Sequence, residues 1–227
     1  MLGVIVLCVV FGLLALLVAF SRWLARRHWA AAGNVLIAVL LLALAHRLWP
    51  PVLHLQSYQK MPADAAIAEV QSERTGPRTY RVTLTRLPAG EMQVFEMAAE
   101  EWRLDIRSLV WIGRAADLGL PPSFRLERLS GRFVRTEASN ADLGGAASGL
   151  PASFPLSDPD EPGEDLWAQA RTGIRWQAHV DARHAYGPWR PLADSARFEV
   201  RLQRPAGSVE AMLEVLPANE AAAKAMR

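Results

Sequence analysis

Acidic side chains are missing from the first quarter of the chain, where no Asp or Glu precedes Asp64. Residues 1–59 carry Arg22, Arg26, Arg27 and Arg47 with no acid, net +4, whereas residues 60–227 carry 21 basic and 23 acidic side chains, net −2. The overall +2 therefore marks no basic stripe on a folded domain, and no nucleic-acid partner is expected. Cysteine is nearly absent too: the single Cys8 excludes an intrachain disulfide and any paired-cysteine metal site. No HExxH, P-loop or GxGxxG occurs, and Ser148 in Gly145-Ala146-Ala147-Ser148-Gly149 lacks the spacing of a GxSxG elbow. A hydrophobic share of 51% with 21% charged residues excludes a disordered or collagen-like chain.

The acid-free region holds two long apolar runs. Residues 1–20 contain neither charge nor proline, and at about 1.5 Å per residue they reach across a hydrocarbon core of about 30 Å. A cleavable signal peptide would need a basic segment ahead of its apolar core, and Met1-Leu2-Gly3 offers none. The second run, Ala30–Trp49, is expected to end at Pro50-Pro51, where the helix loses its N–H donors. Together they predict a two-helix transmembrane hairpin over 1–49. The short link between them holds Arg22, Arg26 and Arg27, so the positive-inside rule puts that link in the cytoplasm and both the N-terminus and everything after Pro50 outside it. Trp23, Trp29 and Trp49 fall at the expected boundaries, where indoles favour the membrane interface. Ala15, Ala19 and Gly33 are small enough for close helix packing, and Asn34 supplies an amide for an interhelical hydrogen bond. No ionisable group lies mid-span, and two helices alone cannot enclose a transport pathway.

Beyond a connector at 50–63 the hydrophobic period changes from helical to alternating. Tyr80-Val82-Leu84, Trp102-Leu104-Ile106 and Phe198-Val200-Leu202 each interleave with polar residues, the pattern of strands with one buried face in antiparallel sheets. Further strands are expected at Ile67–Gln71, Met92–Met97, Leu109–Ile112, Phe124–Leu129, Arg132–Arg135 and Trp176–Val180, separated by turns such as Pro121-Pro122, Ser130-Gly131 and Gly187-Pro188. The expected architecture is a mainly antiparallel β domain over 64–204, a sandwich or barrel-like fold, with a short helix at Asp165–Arg171. Within it, 138–164 reads as a mobile loop rich in Gly, Ser and Pro, and 205–227 as a tail forming an exposed or frayed helix broken at Pro217.

The acidic run Asp158–Asp165 fails a calcium-loop template, because the fifth position is Pro162 and the twelfth is Gln169 where a bidentate glutamate is needed. His179, Asp181 and His184 form the one local histidine and carboxylate cluster of the exported part and are the candidates for a metal site. Arg103, Arg107, Arg125, Arg128, Arg132 and Arg135 stand on strand faces among Asp105, Glu127 and Glu137, so cross-strand pairing on a wet face explains them.

Several segments taken together resemble a group of small proteobacterial inner-membrane proteins that carry the label cation or multidrug efflux pump. These segments are Ser57-Tyr58-Gln59-Lys60-Met61-Pro62, Phe95-Glu96-Met97, Glu101-Trp102-Arg103-Leu104-Asp105, residues 124–133, Asp165-Leu166-Trp167, Val180-Asp181-Ala182 and residues 193–200. The resemblance implies a two-helix hairpin with an exported domain, covers nearly the whole chain up to Arg204, and assigns no site residues.

The sequence thus predicts a bacterial inner-membrane protein whose β domain is periplasmic. It is expected to act by binding and not by catalysis, without a cofactor, as an accessory or scaffold subunit of an envelope complex. Membrane lipids, a membrane-protein partner and a second copy of the chain are its expected contacts. The alternatives are an accessory component of a transport system and a membrane-tethered carrier of lipids or small hydrophobes.

Overall fold

The computed structural model describes residues 2–134, 153–158, 160, 162–173, 176–205, 208 and 210–227. The chain divides into two units, 1–58 with 160–166, and 59–159 with 167–227.

The first unit is built on α1 (Leu2–Leu24) and α2 (His28–His54), both long and apolar enough to cross a membrane. At 23 residues α1 is about 35 Å long. Its buried positions are Ile5, Cys8, Gly12 and Ala19, and those of α2 include Ala31, Ala38, Ala45 and Val52. The α2 set repeats every seventh residue, so one narrow stripe faces α1 while Leu, Val and Phe side chains of both helices point outward. At Gly12 a Cβ would lie 3.0 Å from Cγ of Leu42, so the missing side chain is what lets the helices approach. The turn between them puts Arg26 in the left-handed region at φ 58°.

Contrary to the sequence expectation, α2 runs through Pro50 and Pro51 and is followed by a 3₁₀ turn at Leu55–Ser57, so residues 50–57 are helical and not a loose connector. Proline costs a helix the N–H bond to the preceding turn, but its fixed φ is itself helical. The Pro50 carbonyl accepts from Glu164 N (3.3 Å), and a Cβ at Gly163, whose φ is +110°, would collide with that carbonyl. In the same unit His54 Nε2 lies 3.3 Å from Asp165 Oδ1.

The second unit contains two antiparallel sheets. Its elements in chain order are β1 (Gln59–Lys60), β2 (Asp64–Gly76), β3 (Thr79–Arg86), β4 (Glu91–Ala98), β5 (Glu101–Trp111), β6 (Ser123–Arg132) and β7 (Ser153–Pro155). They continue with α3 (Leu166–Thr172), whose first residue belongs to the other unit, then β8 (Val180–Tyr186), β9 (Arg190–Pro191), β10 (Ala196–Gln203), β11 (Met212–Pro217) and α4 (Glu220–Ala225). One sheet has the order β1-β6-β5-β8, with β7 on β6 and β9 on β5, and the other β11-β10-β2-β3-β4. They pack as an open sandwich. Trp102, Leu104 and Ile106 of β5 and Leu126 and Leu129 of β6 share one core with Val82 and Leu84 of β3 and Phe198, Val200 and Leu202 of β10. Trp102 and Phe198 meet edge to face with ring centroids 5.6 Å apart, and both are fully buried.

Several segments differ from their sequence reading. The two strands expected at 102–107 and 109–112 are one strand, β5. The strand expected at 124–129 runs on to Arg132 as β6, where Ser130 and Gly131 pair with Arg103 and Trp102 and make no turn, and of the strand expected at 132–135 Phe133 and Val134 lie beyond its end and Arg135 outside the described residues. Turn residues yield to ladder pairing when a long partner strand is already fixed beside them. The strand expected at 176–180 begins at Val180, because Trp176–His179 form a turn closed by His179 N to Trp176 O (2.8 Å). Most of 138–164, with Ser148, Arg135 and Glu137, lies outside the described residues, and Ser153–Pro155 of it form β7. Before Pro217 the tail is strand and not helix, since β11 pairs with β10 from Met212 to Pro217, and only beyond the proline is it helical, as α4. Asn219 then caps α4, its Oδ1 accepting from Ala222 N (3.0 Å) while its Nδ2 donates to Ser195 O (2.7 Å).

Candidate functional site

The inner face of β5 is apolar, and its outer face carries Arg103, Asp105 and Arg107 by simple alternation. On β6 the alternation breaks. Asp105 pairs with Arg128 but Ile106 pairs with Leu126, so Glu127 is an extra residue in a β-bulge. A bulge lets neighbouring residues project to one side, and this one brings Glu127 onto the arginine face beside Arg128. β8 completes the lattice, placing Tyr186 opposite Asp105 and His184 opposite Arg107.

Two rows result, Arg128-Asp105-Tyr186 and Arg125-Arg107-His184, the second with two like charges directly opposed. Glu127 relieves that opposition, lying 2.6 Å from Arg107 Nη2 and 3.7 Å from Arg125 Nη2. Asp105, largely buried, receives Arg103 through Nε at 2.8 Å and Nη2 at 3.2 Å. Aromatic rings hold the guanidinium planes: Arg103 over Tyr186 and Trp189 (5.0 and 4.6 Å), Arg107 over Trp167 (4.5 Å). Trp167, from α3, also donates its indole N–H to Arg183 O (3.2 Å) and meets His184 edge on at 4.4 Å. A cavity of about 340 Å³ lies over these rows, with Ser130 also on its wall.

Burial pushes the Asp105 carboxyl above its ordinary range, against the opposing pull of Arg103. His184 is held below the ordinary histidine range, first by burial and then by the Arg107 charge, so it is neutral at pH 7. The site is therefore rich in fixed N–H donors, and the carboxylates near it are engaged by arginine.

Of the three metal candidates, His184 belongs to this lattice and the others do not. Asp181 lies on the opposite face of β8, where Arg183 grips it through Nε at 3.1 Å and Nη2 at 3.0 Å, and Arg183 also reaches Glu210 at 2.6 Å. This second face borders a larger cavity of about 790 Å³. His179 sits in the turn before β8, its carbonyl accepting from Ile112 N (2.9 Å). Among the described residues no three His, Cys, Asp or Glu side chains gather as a metal site.

In the hairpin, Ala19 lies in the buried stripe, Ala15 and Asn34 are half-buried, and Gly33 faces outward with nothing near its Cα hydrogens. Arg22 occupies the last turn of α1, and Arg26 and Arg27 the exposed link, where positive charge also suits the helix C-terminus. Sequence reasoning missed Gly12 and the alanine repeat of α2, whose seven-residue period was the available signal. It also missed the bulge at Glu127, which only pairing reveals.

Compared with known protein families, curated proteins and solved structures, the chain matches none.

Proposed function

We propose that the chain is a membrane-anchored accessory or scaffold protein of a bacterial cell-envelope complex, held in the inner membrane by its hairpin and acting in the periplasm through protein contacts. The observation that carries this reading is β4, an edge strand whose Met92 and Val94 are 71% and 59% exposed. Natural edges are usually blunted by charge, proline or a covering element; β4 has no lysine or proline, and its two charges, Glu91 and Glu96, leave Met92-Gln93-Val94-Phe95 uncharged between them. Such an edge suits strand addition by a partner. The hairpin supports the anchoring role: Gly12, Ala19, Ala31, Ala38 and Ala45 form its own seam, and its apolar outer surface, with Gly33, is left to lipid or to partner helices. The arginine link at 22–27 supports the orientation.

The test is affinity capture of the full chain from its native membrane in mild detergent, beside Val94→Lys. A stoichiometric partner retained by the wild type and lost with Val94→Lys is the expected result. A partner with many membrane helices would make the chain a transport accessory, the alternative reading of the sequence. Recovery of the chain alone in both forms would sink the proposal.

A further inference from the structure

The outer-face lattice leaves one arginine over. Arg128 stands opposite Asp105 in the ladder, yet the Asp105 carboxylate is occupied by Arg103 at 2.8 and 3.2 Å, and Glu127 is occupied by Arg107 at 2.6 Å. Arg128 forms no close ion pair or hydrogen bond among the described residues, its charge acting on Asp105 only from a distance, and this exposed residue lines the 340 Å³ cavity. The other groups on that wall are donors in waiting. Ser130 and Tyr186 carry hydroxyls that bond nothing among the described residues, and His184 Nδ1 is buried without a hydrogen-bond partner. They come from two strands flanking β5, so they converge on one volume and do not spread along one edge.

From this geometry we propose that the cavity over β5, β6 and β8 binds a phosphate-type oxyanion, with Arg128 as the principal donor and Ser130, Tyr186 and His184 completing its cradle. A cation is disfavoured because both carboxylates in reach already serve arginines. A hydrophobe is disfavoured because the walls are charged or hydroxylated. Guanidinium presents a planar fork of donors that matches phosphate oxygens, and Arg103 and Arg107, held by the rings of Trp189 and Trp167, add fixed positive charge to the same wall. The volume sits at the lower end of small-ligand sites and fits a phosphorylated headgroup or a small phosphate ester as well as the free ion.

The test uses the full chain. In neutral-detergent micelles at constant ionic strength, tryptophan fluorescence is followed as inorganic phosphate is added. In nanodiscs, the same signal is compared between phosphatidylcholine alone and phosphatidylcholine with phosphatidylglycerol. Saturable binding of phosphate, weakened at least about tenfold by Arg128→Gln and unchanged by Arg197→Gln on the other sheet, establishes a site for soluble phosphates. A response to phosphatidylglycerol alone, lost in Arg128→Gln, establishes a lipid headgroup as the source. Circular dichroism checks that both variants keep the wild-type fold. No saturable response in either arm, or equal weakening by Arg128→Gln and Arg197→Gln, overturns the proposal, since Arg128 would then be an ordinary solvated side chain.

Discussion

The hairpin and the β domain solve the packing problem in opposite ways. The hairpin's buried seam is lined mainly by small residues, Gly12, Ala19, Ala31, Ala38 and Ala45, and it turns Leu13, Leu17, Phe20 and Leu40 outward. The β domain buries its largest, Trp102, Phe198, Leu84 and Met97, and turns arginine and glutamate outward. In water the gain comes from removing apolar area, so bulk belongs inside. In a bilayer leucine gains nothing by leaving the surface, and association depends on how closely two backbones approach, so bulk belongs outside. The same chain thus carries two inverted patterns, the first of them the one that suits helices long and apolar enough to cross a membrane.

The contrast can be broken at either end. Trp102→Ala should cost the β domain about 3–5 kcal/mol, the range for emptying a large aromatic site in a packed core. Trp102→Phe should cost far less, because the indole N–H of Trp102 has no hydrogen-bond partner among the described residues and its loss strands nothing. Denaturant unfolding followed by near-ultraviolet circular dichroism measures both, and equal losses would show that Trp102 does not act through volume.

Gly12→Leu should do the reverse damage, by adding bulk. Its new atoms would press on Leu42, at a cost of about 1–3 kcal/mol to helix packing, while the β domain keeps its midpoint. Spin labels on the two helices should report a wider separation, and an unchanged distance would place the true contact elsewhere.

The smallest effect sharpens the polar face of β5. Because folded His184 has a lowered pKa, the unfolded chain takes up its proton first as pH falls below about 6.5. Its contribution to stability is therefore full above that pH and is lost as pH falls toward the lower folded value. His184→Gln should flatten the stability profile across that interval, and an unaltered slope would show that other groups carry it.

Much of this architecture is legible without coordinates. Two 20-residue apolar runs around an arginine link fix a hairpin, and alternation at 80–84, 102–106 and 198–202 fixes one-sided strands, because both signals depend only on neighbours in sequence. The candidate site was half visible: its arginines and His184 stood out, but the sequence grouped His184 with Asp181, which the strand sends to the opposite face.

What remained hidden depends on partners far along the chain. Ser130 and Gly131 form strand because β5 lies beside them, and residues 212–217 form strand because β10 offers its edge. Glu127 reaches the arginines because one extra residue on β6 is absorbed as a bulge against β5. The sequence by itself determined which segments form long apolar helices and which form one-sided strands, through local hydrophobic period. Only the tertiary structure decided which arginine is left without a close ion pair, because ion pairing on a sheet is set by register, and register is a relation between strands.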